Sequence, residues 1–311
     1  MIVSIAALAA GLLVLFRAAD AFVLGASRVS RMLKLSPVVV GAIVLGFGTS
    51  APELLVSALA AAQGSPEIAY GNIVGSNVAN VTLVAGLAAL VAGRIAIASA
   101  TIRREAPLAA LAVIGLAAVL QGSLSRWVGL ALLVAFVAAM AWIVLGAARD
   151  GAITDEAVEE VPTTGRREAV RTLAGLLGTA LGAQLVVRGA TGVADALNLD
   201  EGFVGLTIVA VGTSLPEVVT AVQAARLGQS HLAVGNLFGS NLFNSLAIGG
   251  TVALIAPGPL ESGAVVGLGA VTMVVAGLVA WLLLGTGRAL VRWEAAVLLA
   301  AYLALLPFLA R

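Results

Sequence analysis

Charge is scarce in this chain of 311 residues. Asp, Glu, Lys and Arg make up 11% of it and hydrophobic residues 61%, against about 25% and about 45–50% in soluble domains. A globule in water cannot hide that much apolar surface, so the expected solvent is lipid. Cysteine is absent and His231 is the sole histidine. That excludes a disulfide framework, a zinc cluster, a thiol nucleophile and a histidine metal site. Enzyme chemistry is poorly equipped here and no cofactor is expected; nothing in the composition points to nucleic acid or to a protein partner. The first apolar stretch, 2–16, has no basic residue before it and no small-residue cleavage site after it, so it reads as a first span rather than a removable leader.

What the chain does have is long uncharged apolar runs, such as 68–93, 127–148, 232–260 and 262–287, each able to cross a hydrocarbon core of ~30 Å. Cutting at charged and Gly/Pro-rich breaks predicts ten transmembrane helices: 2–25, 36–62, 70–93, 105–121, 126–148, 170–194, 202–225, 232–256, 262–285 and 293–310. Loops after odd-numbered spans hold thirteen Lys and Arg, whereas loops after even-numbered spans hold only Arg126. Positive loops stay in the cytoplasm, so the expected location is the inner (plasma) membrane with both termini on the non-cytoplasmic side. The chain divides into a first repeat at 1–148, a cytoplasmic linker at 149–168 and a second repeat at 169–311. The linker carries Asp155, Glu156, Glu159 and Glu160 among Gly, Thr and Pro, and reads as solvated connection. Arg17 and Asp20, three residues apart in the first span, predict a local ion pair, and Arg188 is expected to snorkel outward.

A shift of 164 residues superposes two halves of the sequence. GFGTSAPE (46–53) falls on AVGTSLPE (210–217), and GNIVGSNVAN (71–80) on GNLFGSNLFN (235–244). Between 36–80 and 200–244, seventeen of 45 positions are identical without a gap. Shared apolar composition does not match Pro, Glu and Asn in register. Five spans separate equivalent points, and five is odd, so the second copy runs through the membrane in the opposite sense. The expected fold is an all-α integral membrane protein of ten helices in two inverted five-helix repeats, the plan of secondary transporters with a midplane substrate.

The polar residues of each repeat fall in mid-span, where a charge costs at least ~2.5–3.5 kcal/mol. Thr49 and Glu53 are four apart, as are Thr213 and Glu217, so hydroxyl and carboxylate share a helix face. Pro52 and Pro216 lack the N–H that would engage the carbonyls of Gly48 and Gly212, which opens the backbone beside each carboxylate. Asn72, Ser76 and Asn80 recur every fourth residue, as do Asn236, Ser240 and Asn244. Such stripes serve as ligands or as hydrogen-bonding glue between helices. Two carboxylates amid neutral oxygens, without thiol or imidazole, suit hard cations such as Ca²⁺. The same oxygens can cage Na⁺, and a site filled alternately by either ion is an antiporter site.

With both motifs at inverted positions, the sequence resembles the cation/calcium exchanger superfamily, and in particular the prokaryotic sodium/calcium exchangers, over essentially its whole length. The resemblance implies that Thr49, Glu53, Thr213 and Glu217 form a calcium site. It implies that Ser50, Ser76 and Asn80, with Ser214, Ser240 and Asn244, build flanking sodium or shared sites, joined by the carbonyls of Gly46 and Ala210. It further implies a core of spans 2, 3, 7 and 8 across which spans 1 and 6 slide. Position 244 is Asp in several relatives of this superfamily; here both Asn80 and Asn244 are neutral. The function so implied is Ca²⁺/Na⁺ antiport by alternating access, with proton-coupled Ca²⁺ antiport as the nearest alternative and a cation channel as a more distant one.

Overall fold

The computed structural model describes residues 1–33, 37–97, 99–149, 164–196, 210–260 and 264–309. The acidic run 155–160 and the start of span 7 lie outside these residues. The architecture is all-α, with ten spans in two inverted five-helix repeats, and each predicted span has its helix. Span 1 is Ile2–Met32 and span 6 Gly165–Ala196. Span 3 runs Pro66–Ala92 and span 8 Ser230–Ile255. Spans 4 and 5 are Glu105–Leu120 and Arg126–Arg149, and span 10 is Arg292–Leu309. Span 9 joins a π-helical turn, Ala264–Gly269, to Ala270–Gly287. Span 2 is broken at Ser50 into two halves bent by 46°, and span 7 breaks at the equivalent Ser214, between Ala210–Thr213 and Leu215–Arg226. Among the described residues six helices are long and apolar enough to cross a membrane unaided, and the bent pair of span 2 makes a seventh.

Burial separates core from rim. In spans 3 and 8, 78% and 83% of the apolar window is buried, against 17% in spans 1 and 5. Spans 3 and 8 carry the polar stripes, so the most expensive side chains lie farthest from lipid. Small residues bring the core helices together. A Cβ added to Gly41 would sit 3.0 Å from the Cα of Gly235, and one on Gly46 3.0 Å from the backbone of Gly239, so the first half of span 2 crosses span 8 almost backbone to backbone.

Spans 1 and 6 pair lengthwise. Gly11, Gly175 and Gly182 leave no room for a side chain: a Cβ on Gly182 would lie 2.6 Å from Leu15 N and one on Gly11 2.7 Å from Val186 N. At 31 residues span 1 is about 46 Å long, so its last turns extend past the hydrocarbon. There the fully buried Glu168 meets Arg28 at 3.2 Å and Arg171 at 2.9 Å. Span 6 begins at Gly165, inside the stretch assigned to the linker, with Thr164 Oγ1 accepting from the Arg167 N–H at 3.4 Å. The predicted Arg17–Asp20 pair is not formed. Arg17 lies on the exposed face with Leu13 and Phe16, whereas Asp20 is half-buried beside Ala19. Arg188 is exposed, as expected.

Short loops pair across the repeats. Strand β1 (Arg94–Ala96) runs antiparallel to β2 (Ala289–Val291), joining the loop after span 3 to that after span 9. Leu124 pairs with Gly258, joining the loops after spans 4 and 8. Shifted by 164, Arg94 becomes Gly258 and Leu124 becomes Arg288, whose carbonyl accepts from Ile97 N at 2.9 Å. One clasp is therefore the repeat image of the other.

Candidate functional site

Each break places a carboxylate in the first turn of a half-helix, Glu53 in Ala51–Ala62 and Glu217 in Leu215–Arg226. Pro at the first or second position of each half-helix lacks an N–H where none is needed, and the unpaired N–H groups of that turn favour a nearby anion. Ser50 and Ser214 take up the bend with nearly identical backbones, φ −85° and ψ 8° against φ −87° and ψ 3°.

The two carboxylates are held crosswise. Ser50 Oγ donates to Glu217 Oε1 at 2.8 Å, and Ser214 Oγ donates to Glu53 Oε1 at 3.4 Å. Each repeat thus supplies the hydroxyl that orients the other repeat's charge. The second oxygens, Glu53 Oε2 and Glu217 Oε2, are buried with no hydrogen-bond donor. Thr49 Oγ1 donates its one proton to the Leu45 carbonyl at 2.9 Å and lies 3.3 Å from Asn236 Oδ1. Thr213 occupies the equivalent place one turn before Glu217, half-buried. Ser240 Oγ donates to the carbonyl of Gly46 at 3.4 Å, so that carbonyl does lie against the stripe of span 8. Ser76 and Ser240 are buried, as are Asn80 and Asn244; of Ala210 the backbone is described and belongs to the turn that ends at Thr213.

Both stripes end in a π-helical turn, Asn80–Val84 in span 3 and Phe243–Ile248 in span 8, the irregularity that frequently marks functional sites inside helices. Beside them Phe47, Phe136 and Phe243 form an aromatic cluster with ring centroids 4.5–5.8 Å apart. Three of the chain's eight Phe therefore shield one flank of the polar centre with apolar surface.

Sequence reasoning missed several buried polar side chains. Asn77 and Asn241 face one another's repeats: Asn80 Nδ2 donates to Asn241 Oδ1 at 3.1 Å, and Asn77 Nδ2 to Ser245 Oγ at 2.9 Å. Ser57 Oγ accepts from Asn72 Nδ2 at 3.0 Å. Thr220 is fully buried and its hydroxyl has no partner. The signal for Asn77 and Asn241 was in hand, since they are identical in the superposed halves; the four-residue period of the stripe passed over them.

Comparison with known proteins agrees with this geometry. The sequence profile of the sodium/calcium exchanger proteins matches residues 3–145 and 168–310. CaxA of Alkalimonas amylolytica is 39% identical over 94% of this chain and 94% of its own. The sodium/calcium exchanger MaX1 of Methanosarcina acetivorans is 29% identical over 96% of both. A solved structure of the sodium-calcium exchanger NCX_Mj superposes with a TM-score of 0.86 at 30% identity, covering 99% of this chain and 98% of that one. Two profile matches in one chain correspond to the two halves whose serines hold one another's carboxylates, and the chain belongs to the sodium/calcium exchanger family.

Proposed function

We propose that this chain exchanges Ca²⁺ for Na⁺ across the inner membrane by alternating access. Glu53, Glu217, Thr49 and Thr213 hold Ca²⁺ between the repeats. Ser50, Ser76 and Asn80, with Ser214, Ser240, Asn244 and the carbonyls of Gly46 and Ala210, hold Na⁺ in overlapping cages.

One observation carries the reading: Glu53 Oε2, Glu217 Oε2, Asn80 Oδ1 and Asn244 Oδ1 are all buried and all lack a donor. A buried acceptor left unmet costs about 1–3 kcal/mol, and more for a charged one, whereas a hard cation meets several at once. Two carboxylates neutralise one Ca²⁺. Among the described residues no group of three or more Asp, Glu, His or Cys gathers to hold a metal. A site with few charges binds calcium loosely enough to let it go, as transport requires.

The pairings between loops support the alternation of sides on which the orientation rests. The loops after spans 3 and 9 are clasped together, as are those after spans 4 and 8. Ser27 at the end of span 1 donates to Gln229 before span 8 at 2.9 Å, so every pairing joins loops of the same parity. With the Arg-rich parity in the cytoplasm, both termini face outward.

The decisive experiment is ⁴⁵Ca²⁺ uptake into proteoliposomes driven by an imposed Na⁺ gradient, repeated with a pH gradient in the absence of sodium. Uptake is expected in the first arm only. Uptake driven by the pH gradient alone would replace the sodium reading with proton coupling.

A further inference from the structure

Four asparagines stand at the crossing of spans 3 and 8: Asn77 and Asn80 on one, Asn241 and Asn244 on the other, each pair three residues apart and each residue at most 2% exposed. Under the 164-residue shift Asn77 corresponds to Asn241 and Asn80 to Asn244. An amide has two ends of similar shape and opposite use, because only its oxygen can bind a cation. Which end faces the site is therefore a functional property of each amide.

For Asn80 the choice is made by the other repeat. Its Nδ2 donates to Asn241 Oδ1 at 3.1 Å, which turns Oδ1 away from Asn241, and that oxygen is buried without a donor. The mirror contact, Asn244 to Asn77, is not formed. Asn77 instead directs its Nδ2 to Ser245 Oγ at 2.9 Å and Met273 Sδ at 3.3 Å. Ser245 stands where the first repeat has Val81, so a hydroxyl holds the Asn77 nitrogen on one side only, and the Asn77 oxygen is left without a partner. Asn244 is left with neither amide atom bonded. The two amides of the proposed sodium cages thus differ: one is locked oxygen-first and the other is free to turn.

We infer that Asn241 is a positioning residue for sodium: its carbonyl anchors the Asn80 amide nitrogen and so presents the Asn80 oxygen to Na⁺. Asn241 does not itself touch the ion. The inference rests on the sodium-exchange reading above, and it assigns a role to a side chain outside the predicted ligand set.

The test uses the full chain in proteoliposomes, with the Na⁺ and Ca²⁺ concentrations for half-maximal exchange measured separately. Asn241→Ala removes the anchor, and Asn241→Leu does so while retaining volume, in case the first variant packs poorly. Either is expected to raise the half-maximal Na⁺ concentration by roughly five-fold, the worth of one amide hydrogen bond, while the Ca²⁺ value moves by less than about two-fold. The same substitution is then made on an Asn80→Asp background. A carboxylate has oxygen at both ends and needs no orientation, so the sodium shift should vanish or reverse. A shift that persists on the Asn80→Asp background, or equal shifts for both ions in Asn241→Ala, overturns the inference. Thermal stabilisation of the purified protein by NaCl over choline chloride reads Na⁺ binding without transport. If the unaltered chain is stabilised by Na⁺ but carries no exchange, the exchange reading fails while the loss of stabilisation in Asn241→Ala still decides the role of Asn241; if Na⁺ stabilises nothing, both fall.

Discussion

The bonds Ser50–Glu217 and Ser214–Glu53 change places when the two repeats are exchanged, whereas Asn80–Asn241 has no image in the second repeat. The two regions lie within a few helical turns of each other and are built from the same duplicated motifs. Physical chemistry treats them differently. The proposed divalent ion would need both negative charges, so losing either one would leave charge uncompensated in a low-dielectric core. The proposed sodium cages would hold their ions through dipoles, so a missing or turned amide would weaken binding without leaving a charge uncompensated. The Ser–Glu pairs are repeated in both halves, whereas beside the amides Val81 in one half corresponds to Ser245 in the other.

Breaking the symmetric region should have the largest effect. Glu53→Gln and Glu217→Gln each remove half of the charge that balances Ca²⁺ while keeping volume and one oxygen. Removing one partner of a buried charge pair costs about 2–5 kcal/mol of binding, so each variant should lose roughly 30-fold or more in calcium exchange while its melting profile stays near that of the unaltered chain. A folded Glu53→Gln protein with normal ⁴⁵Ca²⁺ flux would remove the carboxylate pair from the mechanism.

The symmetry of the crosswise bonds is not complete, and their lengths rank the next effect. Ser50 reaches Glu217 at 2.8 Å, but Ser214 reaches Glu53 only at 3.4 Å. A short hydrogen bond to an ionised group contributes about 1.5–3 kcal/mol. Ser50→Ala should therefore raise the half-maximal Ca²⁺ concentration by about 10-fold or more and Ser214→Ala by distinctly less. Equal effects in flux titrations would mean that the two contacts equalise during the cycle.

Charge added to the asymmetric region should convert it. With Asn80 and Asn244 neutral, the site carries two negative charges, which Ca²⁺ cancels and more than two Na⁺ exceed. Exchange of one Ca²⁺ for three Na⁺ would move one net charge and respond to membrane potential by about 2.3 kcal/mol per 100 mV. Asn244→Asp supplies a third negative charge at the amide that has no partner. Its exchange should become dependent on pH near neutrality, while the unaltered protein varies little there; a flat profile in Asn244→Asp would show that this amide does not face the ions.

Much of this was legible in the sequence, for identifiable reasons. Lipid makes an isolated polar residue expensive, so Glu53, Glu217 and the stripes stand out against an apolar background, and Pro, Glu and Asn in register reveal the duplication. Contacts between repeats were not legible. Ser50 lies next to Glu53 in the chain, and only packing shows that its hydroxyl belongs to Glu217. Asn77 and Asn241 escaped because the four-residue period selects one line along a helix and these two lie off it. Three-residue clasps such as Arg94–Ala96 with Ala289–Val291 are too short to read from composition. Arg17 and Asp20 satisfied the spacing rule for a pair, yet Arg17 lies on the exposed face and Asp20 on a half-buried one.

The inversion itself can be tested with the least disturbance at the turns that follow spans 2 and 7. Gln63 and Leu227 are repeat equivalents, both exposed, with matching backbones at φ −86° and ψ 4° against φ −82° and ψ 7°. Each precedes a glycine that alone takes up the left-handed conformation, Gly64 at φ 80° and Gly228 at φ 71°, so the substituted residue needs no unusual geometry. In a parallel duplication the two turns would emerge on the same side of the membrane; in an inverted one they emerge on opposite sides. Natural absence of cysteine makes single-cysteine variants clean reporters. Gln63→Cys should react with an impermeant maleimide only from outside and Leu227→Cys only from the cytoplasm, with exchange changed by less than about two-fold, as for surface substitutions remote from the site. Labelling of both from one side would break the inverted repeat. Labelling with the two sides swapped would keep the repeat and reverse the orientation drawn from the arginine-rich loops.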